Sequence, residues 1–160
     1  MQDQLARAAQ LDAAGQPEAA LTLLRDLVTA HPDDAQVRFQ TACACDGLGY
    51  EREAIPHYER AIALDLSGDD LQMAYVNLGS SHRAIGEYAR AVAVWQQGIA
   101  RFPDNRALPV FLAMAQHNLG QHSAAAETLL RHLAETTADP WIARYRRAIL
   151  FYADKLNETW

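Results

Sequence analysis

The chain has 160 residues, half of them hydrophobic, 21% charged and 8% aromatic, which excludes a disordered segment and fits one soluble domain whose core closes without disulfides or metal. Fourteen basic against twenty acidic residues give a net charge of −6, which excludes a strongly basic nucleic-acid footprint over the whole chain. No uncharged apolar run reaches the roughly 18 residues of a membrane span, and the opening Met1-Gln2-Asp3-Gln4-Leu5-Ala6-Arg7 lacks the basic-then-apolar pattern of a secretory signal. Alanine and leucine dominate, with 31 and 19 copies, so helices are expected throughout. In chain order, the first unit spans about 1–34, turning at Gly15 and ending at Pro32. The second, 35–68, is entered from Asp34, turns at Gly49 and ends at Leu66. Ser67-Gly68-Asp69-Asp70 then reads as a lengthened loop. The third, 72–105, is entered from Asp70, turns at Gly86 and ends at Pro103. The fourth, 106–139, is entered from Asn105, turns at Gly120 and ends at Thr137. Asp139-Pro140, a cap and a favoured first helical residue, opens one further helix over about 140–157.

The division rests on spacing. Gly15, Gly49, Gly86 and Gly120 are separated by 34, 37 and 34 residues. The same intervals relate Ala20, Ala54, Ala91 and Ala125, the large apolar residues Leu24, Tyr58, Trp95 and Leu129, and Pro32, Leu66, Pro103 and Thr137. A period in this range signals a stacked repeat. Within each unit the glycine ends one helix in a left-handed C-cap and the proline or its substitute ends the next. Asp34, Asp70, Asn105 and Asp139 supply N-caps. Small residues at Ala8, Ala42, Gly79 and Ala113 allow close helix contacts, and the large column fills the space between hairpins. On a helical wheel, Trp141, Ile142, Tyr145, Ala148, Ile149, Tyr152 and Leu156 of the last helix face the stack, while Leu150 and Phe151 point away from it.

These columns resemble the tetratricopeptide repeat family. The third unit matches best, with Tyr75, Leu78-Gly79, Gly86, Tyr88, Ala91, Trp95, Gly98 and Pro103 at the family's positions. The first unit departs at Gln4 and Arg7, and the fourth lacks aromatics, its closing proline and a small residue at His132. The segment from Asp65 to Ser81 looks like small, stand-alone bacterial members. The resemblance implies an all-α, right-handed α-solenoid of four helical hairpins plus a carboxy-terminal capping helix, forming one domain over 1–160.

Residues that could carry chemistry are few. Cys43 and Cys45 face different directions on one helix and lack further ligands, so they are expected to pack as small apolar side chains, and they point to a reducing, cytoplasmic setting. The six histidines contain no His-x-x-x-His pair; His82 and His117 line a groove or are ordinary helix residues. Asp33-Asp34 and Asp69-Asp70 sit where capping explains them. Ser80-Ser81-His82 has no nucleophile elbow, and no Gly-rich phosphate loop exists. No catalytic residue, metal or cofactor is expected. Residues 1–139 carry net −8 and residues 140–160 net +2; Arg144, Arg146 and Arg147 are the one basic cluster, too thin for nucleic acid.

The resemblance implies a concave groove along the first helices. Its positions here are Leu5, Asp12, Phe39, Asp46, Met73, Val76, Ser80, Arg83, Val110, Met114 and His117. The carboxylate clamp of the chaperone-tail-binding branch is absent: Leu5, Ala9 and Met73 occupy its positions, and Asn77 alone is polar. The expected function is a non-catalytic protein-interaction module that binds a protein partner or its own copy, with Phe39, Met73 and Val76 as apolar anchors and Arg83 for an acidic group. The alternative is a regulatory sensor taking a short peptide or small ligand in the groove. Self-association is expected to form a homodimer through Arg144, Arg147, Leu150, Phe151 and Trp160; Leu150 and Phe151 could instead tuck under residues 157–160.

Overall fold

The computed structural model describes residues 1–159. They form helices and no strand, in two compact units, 1–87 and from 88 onward. The first unit holds α1 (Gln2–Ala13), α2 (Pro17–Ala30), α3 (Ala35–Gly47), α4 (Glu51–Ala63) and α5 (Gly68–Ala84). The second holds α6 (Tyr88–Arg101), α7 (Ala107–Asn118), α8 (His122–Thr136), α9 (Pro140–Arg144) and α10 (Arg146–Tyr152). Consecutive helices pack in pairs, α1 on α2 and α3 on α4 in the first unit and α7 on α8 in the second.

The turn column does what the spacing demands. At Gly49 the backbone is left-handed, φ +78°, a region where a Cβ meets the following carbonyl. Its N–H reaches Asp46 O at 3.0 Å, and Tyr50 N–H reaches Cys45 O at 2.9 Å. These bonds satisfy carbonyls that the end of α3 would leave open. Asp34 caps α3 by accepting from Val37 N–H at 2.8 Å. Asp139 caps α9 by accepting from both Trp141 and Ile142 N–H at 2.9 Å.

Asp70 differs from its expected role. The three-residue insertion is not a longer loop. It adds nearly one turn to the start of α5, which at 17 residues is longer than the 12- and 13-residue α1 and α3. Asp70 therefore lies inside the first turn of α5, where its carboxylate accepts from Gln36 Nε2 at 2.9 Å and ties α5 to α3. The physical reason is that three residues approach the 3.6-residue helical turn, and acidic Asp69 and Asp70 favour a helix amino terminus.

The small column is buried as expected, with Ala8, Ala42, Ala54, Ala91, Ala113 and Ala125 all in the core. Leu24, Tyr58 and Trp95 of the large column are buried too. In the first unit α3 follows and packs on α2, and α5 follows and packs on α4; in the second, α7 packs on α6, with Phe111 5.9 Å from Trp95 between ring centres. Leu129 breaks the pattern and is 44% exposed. No full hairpin follows α8 among the described residues, and of the elements after it α10 is the one that packs on it. Arg146 Nε donates to Ala134 O at 2.8 Å, Arg131 meets Asp154 at 3.7 Å, and Asn157 Nδ2 donates to Ser123 Oγ at 2.9 Å. Those anchors seat α10 antiparallel on α8, and Leu129 and Leu133 lie outside its footprint.

The single helix expected over 140–157 is two short ones. The last turn of α9 tightens as Tyr145 N–H divides between Trp141 O (3.3 Å) and Ile142 O (3.1 Å), an i→i+3 component that ends an α-helix. The expected inward face forms only in part: Ile142 and Ile149 are half-buried. Trp141, at 64% exposed, Tyr145, Tyr152 and Leu156 face solvent, whereas Leu150 is half-buried and Ala153 is the core contact.

Packing this tight at Ala54 yields a test. Ala54→Leu should destabilise by about 1–3 kcal/mol through overpacking against α3, whereas Ala63→Leu, at an exposed position of the same helix, should change stability by less than about 0.5 kcal/mol. Urea unfolding of the two variants checks this.

Candidate functional site

The expected groove residues fall in both compact units. In the first unit, Met73, Val76, Ser80 and Arg83 recur at i, i+3, i+7 and i+10 along α5 and share one face. The stripe runs about 15 Å at the helical rise. Met73 is 49% exposed, and Val76, Ser80 and Arg83 are half-buried. Arg83 Nε is buried with no hydrogen-bond partner, and a guanidinium nitrogen removed from water without an acceptor is costly until an anion meets it. Leu5 is half-buried and Asp12 exposed on α1, the Asp12 carboxylate making no hydrogen bond or ion pair.

Phe39 is not available to a ligand. It is 2% exposed and packs against Tyr58, the ring centres 6.2 Å apart. The expectation of an apolar anchor fails because α4 and α5 both close on α3. Asp46 is likewise engaged. Its Oδ1 accepts from Ser81 Oγ at 2.8 Å and its Oδ2 from Tyr58 O–H at 3.4 Å, while Asn77 Nδ2 donates to Tyr58 Oη at 3.2 Å. This seam joins α3, α4 and α5. Tyr58 also reaches Cys43 Sγ at 3.6 Å. Asn77 and Ser81, four residues apart on the side of α5 that also carries Ala74 and Leu78, are the sequence signal for the seam.

Between α1, α2 and α3 lies a cavity of about 230 Å³, lined chiefly by Ala8, Ala9, Ala20 and Leu24, with Asp12, Gln40 and Cys43 also on its wall. Burial pushes both thiols up, Cys45 to about 12, so neither is an ionised nucleophile at neutral pH. His82 is buried and its Nδ1 meets Glu87 Oε2 at 2.8 Å, a structural contact at the end of α5.

In the second unit Val110, Met114 and His117 lie along one face of α7, Met114 and His117 exposed. His117 Nδ1 is 3.2 Å from His122 Nδ1. Near the carboxy terminus, Phe151 is 54% exposed, edge-on to Tyr152 and under Lys155 Nζ at 4.8 Å, and Arg144 lies over Trp141 at 5.4 Å. Arg147 is exposed, Leu150 is half-buried, and Trp160 lies outside the described residues. Arg146 is spent on Ala134 O, which leaves Arg144 and Arg147 of the basic cluster at the surface. No helix among the described residues is long and apolar enough to cross a membrane.

The seam carries a test with a sign. Burial raises the Asp46 carboxyl above its ordinary value, against the hydrogen bonds from Ser81 and Tyr58. A raised carboxyl holds its proton more tightly folded than unfolded, so the contribution is greatest below the unfolded pKa and is lost as pH rises through the folded one. Asp46→Asn, which keeps an acceptor and removes the charge, should melt at or above the parent temperature at pH 7. Asp46→Ala, which removes the carboxylate acceptor of Ser81 Oγ and Tyr58 O–H and leaves them Asn77 O and Cys43 Sγ, should lose about 1–3 kcal/mol. Calorimetry of both variants at pH 4 and 7 decides.

Comparison with known proteins agrees with this architecture. One tetratricopeptide repeat family model matches residues 35–156 and a second matches residues 2–42. No curated protein matches the sequence. Among solved structures, MamA residues 41 to the end from Desulfovibrio magneticus RS-1 superposes with a TM-score of 0.75 at 18% identity, covering 95% of this chain and 88% of that one. YrrB, described as a TPR protein with an unusual peptide-binding site, superposes at 0.71 with 16% identity, covering 97% and 77%. At such identities the likeness is one of fold. With helices in the pairing the repeat requires and the family match spanning most of its length, the chain belongs to the tetratricopeptide repeat family, an all-α solenoid class.

Proposed function

We propose that the chain is a non-catalytic protein-interaction module whose contact surface centres on the α5 stripe. The observation that carries this reading is Arg83: a guanidinium nitrogen buried without an acceptor, one face along from exposed Met73. A partner that places an acidic group at Arg83 and apolar side chains at Val76 and Met73 satisfies all three. Met73 suits such contacts because its unbranched, polarisable side chain adapts to the surface it meets. Membership of a family built on protein and peptide binding supports the reading, as does the peptide-binding site in the description of YrrB. Leu5 and Asp12 on α1, and Val110, Met114 and His117 on α7, are further contact residues in this proposal. Ser80 lines the stripe, its hydroxyl turned back to Val76 O at 3.0 Å.

The test is affinity capture from the native host with the parent chain and Met73→Ala and Arg83→Ala, followed by titration of the captured partner. Each substitution should cost about 2 kcal/mol, or roughly thirtyfold in affinity. Unchanged affinity for both moves the site off α5. A short, unstructured acidic–apolar peptide that binds as tightly as the whole partner favours the sensor reading.

Self-association is a second reading, favoured by the exposed Trp141, Tyr145 and Phe151 near the carboxy terminus and the exposed Leu129 and Leu133 on α8. Burying side chains of this size against a second copy contributes about 1.5–3 kcal/mol each, and Arg144 and Arg147 face an acidic body on that copy. Sedimentation at micromolar concentration should then give twice the 17.7 kDa chain mass, and Phe151→Glu should halve it. A monomeric parent removes this reading and leaves the α5 proposal untouched.

A further inference from the structure

The α7–α8 turn brings two imidazoles to metal-chelating distance. His117 is in the last turn of α7 and His122 is the first residue of α8. The connection between them is fixed by its own backbone. Gly120, at φ +77°, returns its N–H to His117 O at 3.0 Å, and Gln121 N–H reaches Gln116 O at 2.9 Å. Both rings are exposed. Their Nδ1 atoms are 3.2 Å apart and their ring centres 4.7 Å, with planes inclined at 54°.

These numbers discriminate between a simple ring-to-ring hydrogen bond and a wider capacity. Rings meeting nose to nose would have centres separated by the nitrogen gap plus a ring radius at each end. Here the centres are farther apart than the nitrogens by 1.5 Å, less than a head-on meeting gives, so the rings are tilted to each other and the approach is compatible with an ion placed off the line joining the two nitrogens. An ion about 2.0–2.1 Å from each nitrogen, the usual zinc–imidazole length, would subtend an angle of about 100°, near tetrahedral.

The geometry points to a bidentate site for a borderline divalent cation, Zn²⁺, Cu²⁺ or Ni²⁺, held by His117 Nδ1 and His122 Nδ1. Imidazole is the ligand these metals prefer. For a neutral pair, the ring that donates the Nδ1–H hydrogen bond changes to its Nε2–H tautomer and both Nδ1 atoms then present lone pairs, with no net loss of a proton. Among the described residues no group of three or more His, Cys, Asp or Glu is placed to hold a metal. The ion therefore has two protein ligands and two exchangeable positions, filled by water or by a carboxylate or imidazole from another molecule. This is an open, exchangeable site, unlike the closed four-ligand site of a structural zinc. It does not depend on the α5 reading.

The experiment titrates the untagged full chain with Zn²⁺ alone in a non-chelating buffer, by calorimetry. Cu²⁺ spectroscopy then counts coordinated nitrogens. One ion per chain should bind with saturation well below about 1 mM, and Cu²⁺ should show two nitrogen ligands. His117→Ala and His122→Ala should each weaken binding by about tenfold or more, and His31→Ala, at an exposed position, should leave it unchanged. Zn²⁺ should raise the melting temperature of the parent but of neither variant. Because both rings are exposed, the variants should keep the parent's far-ultraviolet spectrum, which is recorded alongside. Failure to saturate by about 1 mM, or saturable binding that survives both substitutions, overturns the site.

Discussion

A helical hairpin of 34 residues buries a large side chain only if something packs over it, and that dependence on the next element organises the molecule. Tyr58 is buried in the first unit, where α5 follows and packs on α4, and Trp95 in the second, where α7 follows and packs on α6. Each is a large apolar side chain worth about 1.5–3 kcal/mol when fully removed from water. Leu129 stands at the same position and gains no such cover, because α10 reaches only part of α8. Exposure at the carboxy-terminal end is thus the consequence of where the column runs out of a full hairpin.

The first unit solves a second problem with polar groups. A helix packed on two neighbours brings backbone and side-chain donors out of water, and each needs an acceptor. Asp46, Ser81, Tyr58 and Asn77 close that account among themselves across α3, α4 and α5. Arg83, farther along α5, is left outside it. The contrast separates a carboxylate that is spent on holding three helices together from a guanidinium nitrogen buried without an acceptor.

Much of the architecture was legible because it is periodic. The glycine, alanine and large-residue columns set the helix boundaries, and Asp34 and Asp139 cap where they stand in sequence. What was not legible follows from phase and context. Three inserted residues look like a loop in a string of letters but amount to almost a full turn on a helix, so Asp70 changed from a cap to a tie between α3 and α5. A wheel drawn through 140–157 assumed one continuous helix covered along its length, whereas two short helices form and Trp141 and Tyr152 stay in solvent. The family resemblance implies a groove position for Phe39, but whether a phenylalanine there is anchor or core depends on how closely two other helices approach it. His117 and His122 are five apart, a spacing with no meaning on one helix, and only the Gly120 turn makes them neighbours.

That turn shows how one glycine serves two ends. Gly120 is required by the fold because its left-handed backbone lets α7 stop and α8 begin within four residues. The same tightness brings the residues that flank it close together, and their imidazoles meet at 3.2 Å between Nδ1 atoms. A looser connection would let the two exposed side chains drift, and a metal would then have to supply the ordering entropy itself, at about 0.5–1.5 kcal/mol for each immobilised side chain. A repeat that turns tightly for reasons of packing therefore presents paired side chains on its turn already arranged, and the chemistry available there depends on which two residues occupy the flanks.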